Sequence, residues 1–221
     1  MKYDLHIHSK YSLDCMLEPR EIIKIAMKIG LNGIAITDHN TIKGGREAKK
    51  YAGKNFIVII GSEIRTERGE VIGLFLEKEI KSRIFIDVVS EIRDQNGIIV
   101  IPHPFDGMRH SSFFPSDEDL KFIDCIEGFN SRCIFQKYNK MAIKFAKKYG
   151  LPITAGSDAH FANEIGNAYI VTERDDIREA ILKNDIKIFG RKTLFINHIG
   201  TVMLKLWRKV VGYGSSYCLE L

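Results

Sequence analysis

The sequence predicts an α/β fold of barrel type that forms one domain. Short apolar runs alternate along the chain with amphipathic helical stretches, a pattern typical of βα units around a mostly parallel sheet. The chain has 221 residues, 45% of them hydrophobic and 28% charged, so it is long enough for one well-packed core. No internal repeat or low-complexity linker divides it. We expect a barrel domain over residues 1–200 and a C-terminal helix or tail over residues 201–221.

Eight segments have the pattern of buried strands, and five stretches between them have helical spacing. Pro19 suits the first turn of a helix, and Gly30 and Gly150 suit helix exits. The predicted strands are Tyr3–His8, Gly33–Asp38, Phe56–Glu63, Val71–Leu76, Gly97–Pro102, Cys125–Phe129, Pro152–Gly156 and Ala168–Thr172. The predicted helices are Pro19–Ile29, Ile42–Ala52, Ile84–Asn96, Gln136–Tyr149 and Asp175–Lys183.

The composition excludes several classes of protein. Lys and Arg interrupt every apolar stretch before it reaches the roughly 20 residues that a membrane helix needs. The N-terminal residues MKYD lead at once into patterned sequence, so we expect no signal peptide and a cytoplasmic protein. Reduced thiols are favoured over disulfides or a zinc ribbon, because no CxxC pair occurs among Cys15, Cys125, Cys133 and Cys218.

The formal net charge of +5 predicts some attraction to anions and suits a phosphorylated substrate. Nucleic acid is not favoured, because no basic stripe interleaved with aromatic residues marks a strand-binding groove. The tail segment Thr201–Val211 has apolar positions at helical spacing, with Lys205, Arg208 and Lys209 among them. We expect a terminal helix that packs on the barrel with its cations in water. The alternative is a helix that binds a membrane surface or nucleic acid.

Histidines and carboxylates recur at the ends of the predicted strands. In a (β/α) barrel these ends converge on one mouth, so residues far apart in sequence meet there. Burying this many ionisable groups without a cation would cost several kcal/mol each. The sequence therefore predicts a metal site at the mouth. The side chains concerned are His6, His8, Asp14, Asp38, His39, Glu63, His103, Asp158 and His160.

The local spacing of these residues also favours metal binding. His6 and His8 are two residues apart on a predicted strand, so both imidazoles point to the same face. Asp158 and His160 repeat this spacing at a strand exit. Imidazole combined with carboxylate suits Zn²⁺, Mn²⁺ or Fe²⁺, whereas Mg²⁺ normally relies on oxygen ligands and water.

Six segments, in order, resemble the motifs of the polymerase-and-histidinol-phosphatase (PHP) family: DLHIHSKYSLDC, AITDHNT, GSEI, PHPFD, EGFNSR and AGSDAH. The resemblance runs from Asp4 to about His160, and GNAYIVTE beyond it is similar to the family's closing segment. It implies a distorted (β/α)7 barrel with two or three divalent metal ions at the C-terminal strand ends, where phosphoesters are hydrolysed.

The same resemblance implies three metal sites. Glu63 would bridge the first two. Asn130 stands where some relatives carry a histidine, and the strand Val71–Gly73 lacks a histidine that others have, so we expect a weaker or more open second site. The implied ligands are His6, His8, Glu63 and Asp158 for the first site, Glu63, His103 and Asn130 for the second, and Asp14, His39 and His160 for the third.

A mechanism follows from such a centre. A metal-bound water loses its proton near neutral pH and attacks phosphorus, while paired metals brace the attacking and leaving oxygens. Arg132 and Arg109 are candidate phosphate clamps, because a guanidinium offers phosphate a planar, bidentate match. Asp38 is expected to orient a neighbouring ligand.

The leading hypothesis is a phosphatase that acts on a small phosphomonoester such as a nucleotide or a sugar or amino-alcohol phosphate. Histidinol-phosphate phosphatase is the first alternative, although such enzymes are usually longer and carry insertions that this chain lacks. A PHP-type nuclease and a non-catalytic barrel subunit are the others. The retained metal residues argue against the last of these.

Overall fold

The computed structural model describes residues 1–211, which form nine strands and six α-helices. The strands are β1 (Lys2–Ile7), β2 (Gly33–Ile36), β3 (Ile57–Thr66), β4 (Gly69–Leu74), β5 (Ile98–Ile101), β6 (Cys125–Asn130), β7 (Ile153–Gly156), β8 (Ala168–Val171) and β9 (Lys187–Gly190). The helices are α1 (Pro19–Lys28), α2 (Lys43–Lys49), α3 (Phe85–Arg93), α4 (Gln136–Tyr149), α5 (Ile177–Leu182) and α6 (Phe195–Val210).

The strands form one sheet in the order β7-β6-β5-β4-β3-β2-β1-β8-β9. The sheet curls until the exit of β7 meets β1. There Ile7 pairs with Ala159 in a parallel bridge, and the Asp158 N–H donates to the His6 carbonyl over 2.7 Å. The β8–β9 hairpin extends the sheet beyond this junction, with β8 antiparallel to β1. The predicted α/β class and barrel shape are therefore confirmed.

A regular sevenfold βα repeat is not established. β3 and β4 are antiparallel neighbours joined by a tight hairpin without a helix, and β4 also runs antiparallel to β5. Gly69 makes this hairpin possible: its φ is +126°, and a Cβ there would lie 2.7 Å from the Phe113 backbone. Because β4 is reversed, its first residues, rather than its last, lie at the end of the barrel where the parallel strands finish.

The two faces of the strands bury different clusters. On β5, Ile99 and Ile101 pack in a cluster with residues of α3 and α4, whereas Ile98 and Val100 join a cluster drawn from other strands and α5. A third cluster packs α1 and α2 on the outside of β1 and β2. Side chains of a strand alternate between faces, so short runs such as IIVI are apolar throughout only when both faces are covered.

The C-terminal part of the described chain differs most from expectation. The hairpin strand β9 was not predicted, and α6 begins at Phe195, so the expected boundary between residues 200 and 201 falls inside it. Arg208 is buried instead of facing water. No helix within residues 1–211 is long and apolar enough to cross a bilayer. Cys15, Cys125 and Cys133 are buried free thiols, and Cys218 and the end of the predicted tail lie outside the described residues.

Candidate metal centre

The predicted ligands converge on one end of the barrel, where the parallel strands finish. His6 lies in β1, and His8 and Asp14 follow that strand. His39 follows β2, and Glu63 lies in β3. His103 follows β5, and Asp158 and His160 follow β7. All are buried except His39, which is partly exposed. Three sets of donor atoms are close enough to share an ion: His6, His8 and Asp158; His8, His39 and His160; and His39, Glu63 and Glu70.

The hydrogen bonds of His6 and His8 fix which ring nitrogen of each carries the proton. Nδ1 of His6 lies 3.0 Å from Glu127 Oε1, so it donates to that carboxylate. Nδ1 of His8 lies 3.1 Å from Ser12 Oγ, whose own proton is donated to Asp38 over 2.7 Å. The Nδ1 atom of His8 must therefore be the donor. In the neutral rings both Nε2 atoms carry a lone pair.

These two Nε2 atoms face each other across 3.2 Å. Carboxylate oxygens complete the cluster, because Nε2 of His8 lies 3.4 Å from Glu63 and 3.3 Å from Asp158. Nε2 of His6 lies 3.5 Å from Glu63 and 3.7 Å from Asp158. A tetrahedral ion with ligand bonds of about 2.0–2.1 Å separates its ligand atoms by about 3.3 Å. The donor set therefore fits one cation in both chemistry and spacing.

The electrostatics of the cluster favour a positive charge at this point. Burial opposes a charged imidazole, but Glu127, Asp158 and Glu63 outweigh it and hold the pKa of His6 well above its ordinary value. Burial and the neighbouring imidazoles lower the pKa of His8 to about 3, so that ring stays neutral. Although burial opposes ionisation of Glu63, His6 and the other imidazoles keep its pKa well below the usual range.

Asp14, His39 and His160 form a second set of close donors, as expected for the third site. Nε2 of His160 lies 3.3 Å from Asp14 Oδ1, and Nε2 of His39 lies 3.5 Å from Asp14 Oδ2. Nδ1 of His160 donates to the Asp158 carbonyl over 2.8 Å, which leaves Nε2 with its lone pair toward Asp14. Asp14 Oδ1 is buried without a hydrogen-bond partner, which suits an oxygen that would coordinate a cation.

Glu63 and His103 meet as expected for the middle site, and Glu70 joins them. Nε2 of His103 lies 2.8 Å from Glu63 and 3.5 Å from Glu70, while Nδ1 of His39 lies 3.2 Å from Glu63 and 3.9 Å from Glu70. Sequence reasoning missed Glu70 because it sought a donor at residues 71–73. Since β4 is antiparallel, the donor stands at its beginning, and Glu63 pairs with Ile72, which puts Glu70 on the same face.

Two predicted ligands sit in left-handed backbone conformations. The φ of His103 is 31° and that of Asp158 is 56°. Such conformations cost a non-glycine residue of the order of 1–3 kcal/mol and are concentrated at functional sites. Each lies two residues after the end of a strand of the ring, so this turn aims its side chain into the mouth.

Glu127 is a further residue that sequence reasoning missed, and Asn130 contacts it. Glu127 accepts from His6 and from the His103 backbone N–H over 2.7 Å, so one carboxylate orients two candidate ligands. The Asn130 amide donates to Glu127 over 2.9 Å, and its oxygen accepts from the Arg132 N–H over 2.8 Å. Its amide is engaged in these contacts and also lies 3.3 Å from Asp158, so the expected role of Asn130 as a ligand beside Glu63 and His103 stays a prediction. A lone glutamate within the apolar run CIEGF was the available signal for Glu127.

Asp38 acts through two serines, as an orienting residue would. It accepts from the Ser9 N–H over 2.7 Å and from the Ser9 and Ser12 hydroxyls, and Ser12 in turn holds His8. Gly44 at the start of α2 permits this packing, because a Cβ there would lie 1.9 Å from the Asp38 carboxylate. Helix and carboxylate can approach this closely only without a side chain.

The two candidate phosphate clamps, Arg109 and Arg132, lie in different surroundings. Arg109 donates to Asp158 over 2.8 Å and to Asp106 over 3.2 Å, and its side chain is 24% exposed, so it borders the donor cluster and solvent. Although burial opposes its charge, Asp158 and the other acids hold the pKa of Arg109 well above its ordinary value. Arg132, by contrast, is buried and bonds Glu164 over 2.7 Å and Thr201 over 2.7 Å. These contacts occupy its guanidinium, so we now expect a structural role for Arg132 in place of the phosphate contact that the sequence suggested.

Comparison with known proteins agrees with this geometry. The model of the PHP-associated family matches residues 136–186. An uncharacterised protein of Methanocaldococcus jannaschii is 38% identical over 201 residues, covering 85% of this chain and 80% of that protein. A two-domain protein of Bacteroides vulgatus containing a predicted PHP-like metal-dependent phosphoesterase superimposes with a TM-score of 0.72 at 21% identity, over 86% of this chain and 65% of its own. The chain belongs to the PHP family.

Relatives with named activities also occur. A 5'-3' exoribonuclease of Haemophilus influenzae is 34% identical over 122 residues, which is 49% of this chain and 44% of that protein. The His, Asp and Glu clusters of this PHP chain are of the kind that binds divalent metals.

Proposed function

We propose that this PHP protein is a metal-dependent phosphoesterase that hydrolyses a small phosphomonoester. One observation carries the proposal: the Nε2 atoms of His6 and His8 lie 3.2 Å apart, and both lie within 3.7 Å of the Glu63 and Asp158 carboxylates. Four donor groups converge on one point, and the two buried carboxylates require positive charge there, which a bound cation supplies when both imidazoles are neutral. Residues that would hold further cations are Asp14, His39 and His160 on one side and Glu63, Glu70 and His103 on the other.

Bound divalent cations would supply a water nucleophile at neutral pH and neutralise the charge of the phosphate. The chain's own residues hold and orient the donors. Glu127 and Ser12 keep Nδ1 protonated on His6 and His8, respectively, so that Nε2 is the free donor in each ring. Arg109 borders the cluster and can turn its guanidinium from Asp158 to a phosphate oxygen, because the side chain is partly exposed.

An apolar cavity of about 380 Å³ beside His160 supports a small organic substrate. Its walls include Met16, Leu17, Phe161 and Leu204, so it has room for the organic part of a phosphomonoester whose phosphate lies at the cluster. A 5'-3' exonuclease that cleaves RNA phosphodiesters is the second candidate, favoured by the 34% identity to the Haemophilus influenzae exoribonuclease.

The test is elemental analysis of the purified full chain, followed by hydrolysis assays with Mn²⁺, Zn²⁺, Fe²⁺ and Mg²⁺. Substrates are a panel of phosphomonoesters and a 5'-phosphorylated RNA oligonucleotide. We expect bound transition metal and release of phosphate from a monoester. His8→Ala should lose metal, whereas His110→Ala, at an exposed histidine outside the clusters, should keep it. Protein that takes up no metal on titration refutes the proposal, and shortening of RNA without phosphate release supports the second candidate.

A further inference from the structure

The net positive charge of the chain comes from one segment. Residues 187–211 contain no Asp or Glu but six basic residues: Lys187, Arg191, Lys192, Lys205, Arg208 and Lys209. These six charges exceed the formal net charge of +5 for the whole chain, so the remainder is close to neutral. The segment comprises β9 and α6, which are adjacent in sequence and belong to neither the ring of strands nor the donor clusters.

The same segment exposes a continuous apolar surface. On α6 the outward residues occupy an arc of about 140° if each residue turns the helix by about 100°. Their exposed fractions are high for apolar side chains, from 43% at Ile199 to 86% at Val210. We call this surface the α6 apolar face: Phe195, Ile196, Ile199, Val202, Met203, Leu206, Trp207 and Val210.

The polar side of α6 faces the barrel, which fixes the orientation of the apolar side. The Thr201 hydroxyl accepts from Arg132, and Arg208 donates to the Ser12 carbonyl over 2.7 Å. Lys205 lies 3.8 Å from Asp14 and is half exposed. An amphipathic helix on a globular protein normally turns its apolar side inward. Here the order is reversed, so α6 has an apolar face that the described chain leaves in water.

We infer that the α6 apolar face binds the surface of an anionic phospholipid bilayer, with α6 lying in the plane of the headgroups. A helix of this kind combines an apolar face with basic residues, and its binding grows with apolar area and with anionic lipid. Lys209 stands beside the apolar face, and Lys205 follows on the same border at helical spacing, where cations would meet lipid phosphates.

The charge and the side-chain types of the segment favour lipid over a second copy of the chain and over nucleic acid. A second copy docked through the same face would bring the bordering Lys205 and Lys209 of the two copies towards each other, and residues 187–211 contain no acid to pair with them. Single-stranded nucleic acid would need outward cations and stacking rings, whereas the α6 apolar face is mainly aliphatic. An anionic bilayer satisfies both the apolar side chains and the cations that border them.

The only tryptophan of the chain gives a direct readout, because Trp207 lies on this face and is 52% exposed. The metal-loaded full-length protein is mixed with vesicles of phosphatidylcholine or of an equal mixture of phosphatidylcholine and phosphatidylglycerol. With the anionic vesicles we expect a blue shift of the emission and co-flotation of the protein, both weakened by salt. The readout is binding, so it is independent of the proposed phosphoesterase activity.

Substitutions on α6, with matched controls on α4, test which residues contact the bilayer. Leu206→Ser should weaken vesicle binding at least tenfold, and Met141→Ser, on α4 and 44% exposed, should leave it unchanged. Lys209→Glu should weaken binding at least about fivefold, whereas Lys144→Glu, with the same change of charge on α4, should have little effect. If Leu206→Ser is poorly folded by circular dichroism, Val210→Ser near the end of α6 replaces it.

Absence of flotation with anionic vesicles overturns the inference, and so does equal binding to neutral vesicles. A Trp207 shift that follows protein concentration together with a dimeric mass would assign the face to a second copy instead. A shift produced by single-stranded RNA but not by vesicles would assign it to nucleic acid.

Discussion

Replacement of Arg132 by alanine should destabilise the protein without removing its chemistry. The side chain is 5% exposed and donates to both oxygens of Glu164, which is fully buried, and to Thr201 on α6. Removing one partner of a buried ion pair typically costs about 3–5 kcal/mol. Glu164 keeps three other donors, the His160 and Phe161 N–H groups and the Thr193 hydroxyl, so we expect the lower end, about 3 kcal/mol.

For a domain of this size such a loss lowers the melting temperature by roughly 6–12 °C. Calorimetry on metal-loaded protein measures it, and Arg174→Ala is the matched control. The Arg174 ion pairs with Glu179 and Asp185 are exposed, so the control should melt close to wild type. Metal content and kcat/KM, measured well below the transition, should stay near normal in Arg132→Ala. A variant that melts like wild type but loses more than tenfold in kcat/KM would refute the structural role and restore Arg132 as a phosphate contact.

Four further predictions concern the metal centre and two buried thiols. Arg109→Ala should lower kcat/KM for a phosphomonoester roughly ten- to two-hundred-fold at unchanged metal content, with Arg109→Lys restoring only part; equal kinetics would exclude a phosphate contact. Glu63→Gln should reduce turnover more than Asp14→Asn, because Glu63 contacts His6, His8, His39 and His103 whereas Asp14 contacts only one edge of the cluster. Chelation should lower the melting temperature, and Mn²⁺ or Zn²⁺ should restore it; an unchanged melting curve would argue against bound metal. Burial raises the pKa of the Cys125 and Cys133 thiols above the ordinary value, so iodoacetamide at pH 8 should modify them only after unfolding, as mass spectrometry would detect.

Local sequence patterns determined the strands other than β9, most of the helices and most of the candidate donor set. A strand alternates its side chains, so His6 and His8 had to share a face, and parallel strands end on the same side, so His39, His103 and His160 had to meet. The apolar runs and their flanking glycines located the elements to within a few residues because burial on both faces leaves few other patterns. The family resemblance rested on the same motifs.

Tertiary structure alone decided which charged residues serve the site. Arg109 and Arg132 were equivalent in sequence, and only the position of the buried Glu164 separates the guanidinium held in an ion pair from the one beside the donors. Glu70 enters the centre because β4 reverses direction, which no local pattern around residues 69–74 revealed. The outward apolar side of α6 is a further case. Helical spacing predicts that a helix has two faces, but which one is covered depends on partners distant in sequence, here Ser12 and Arg132.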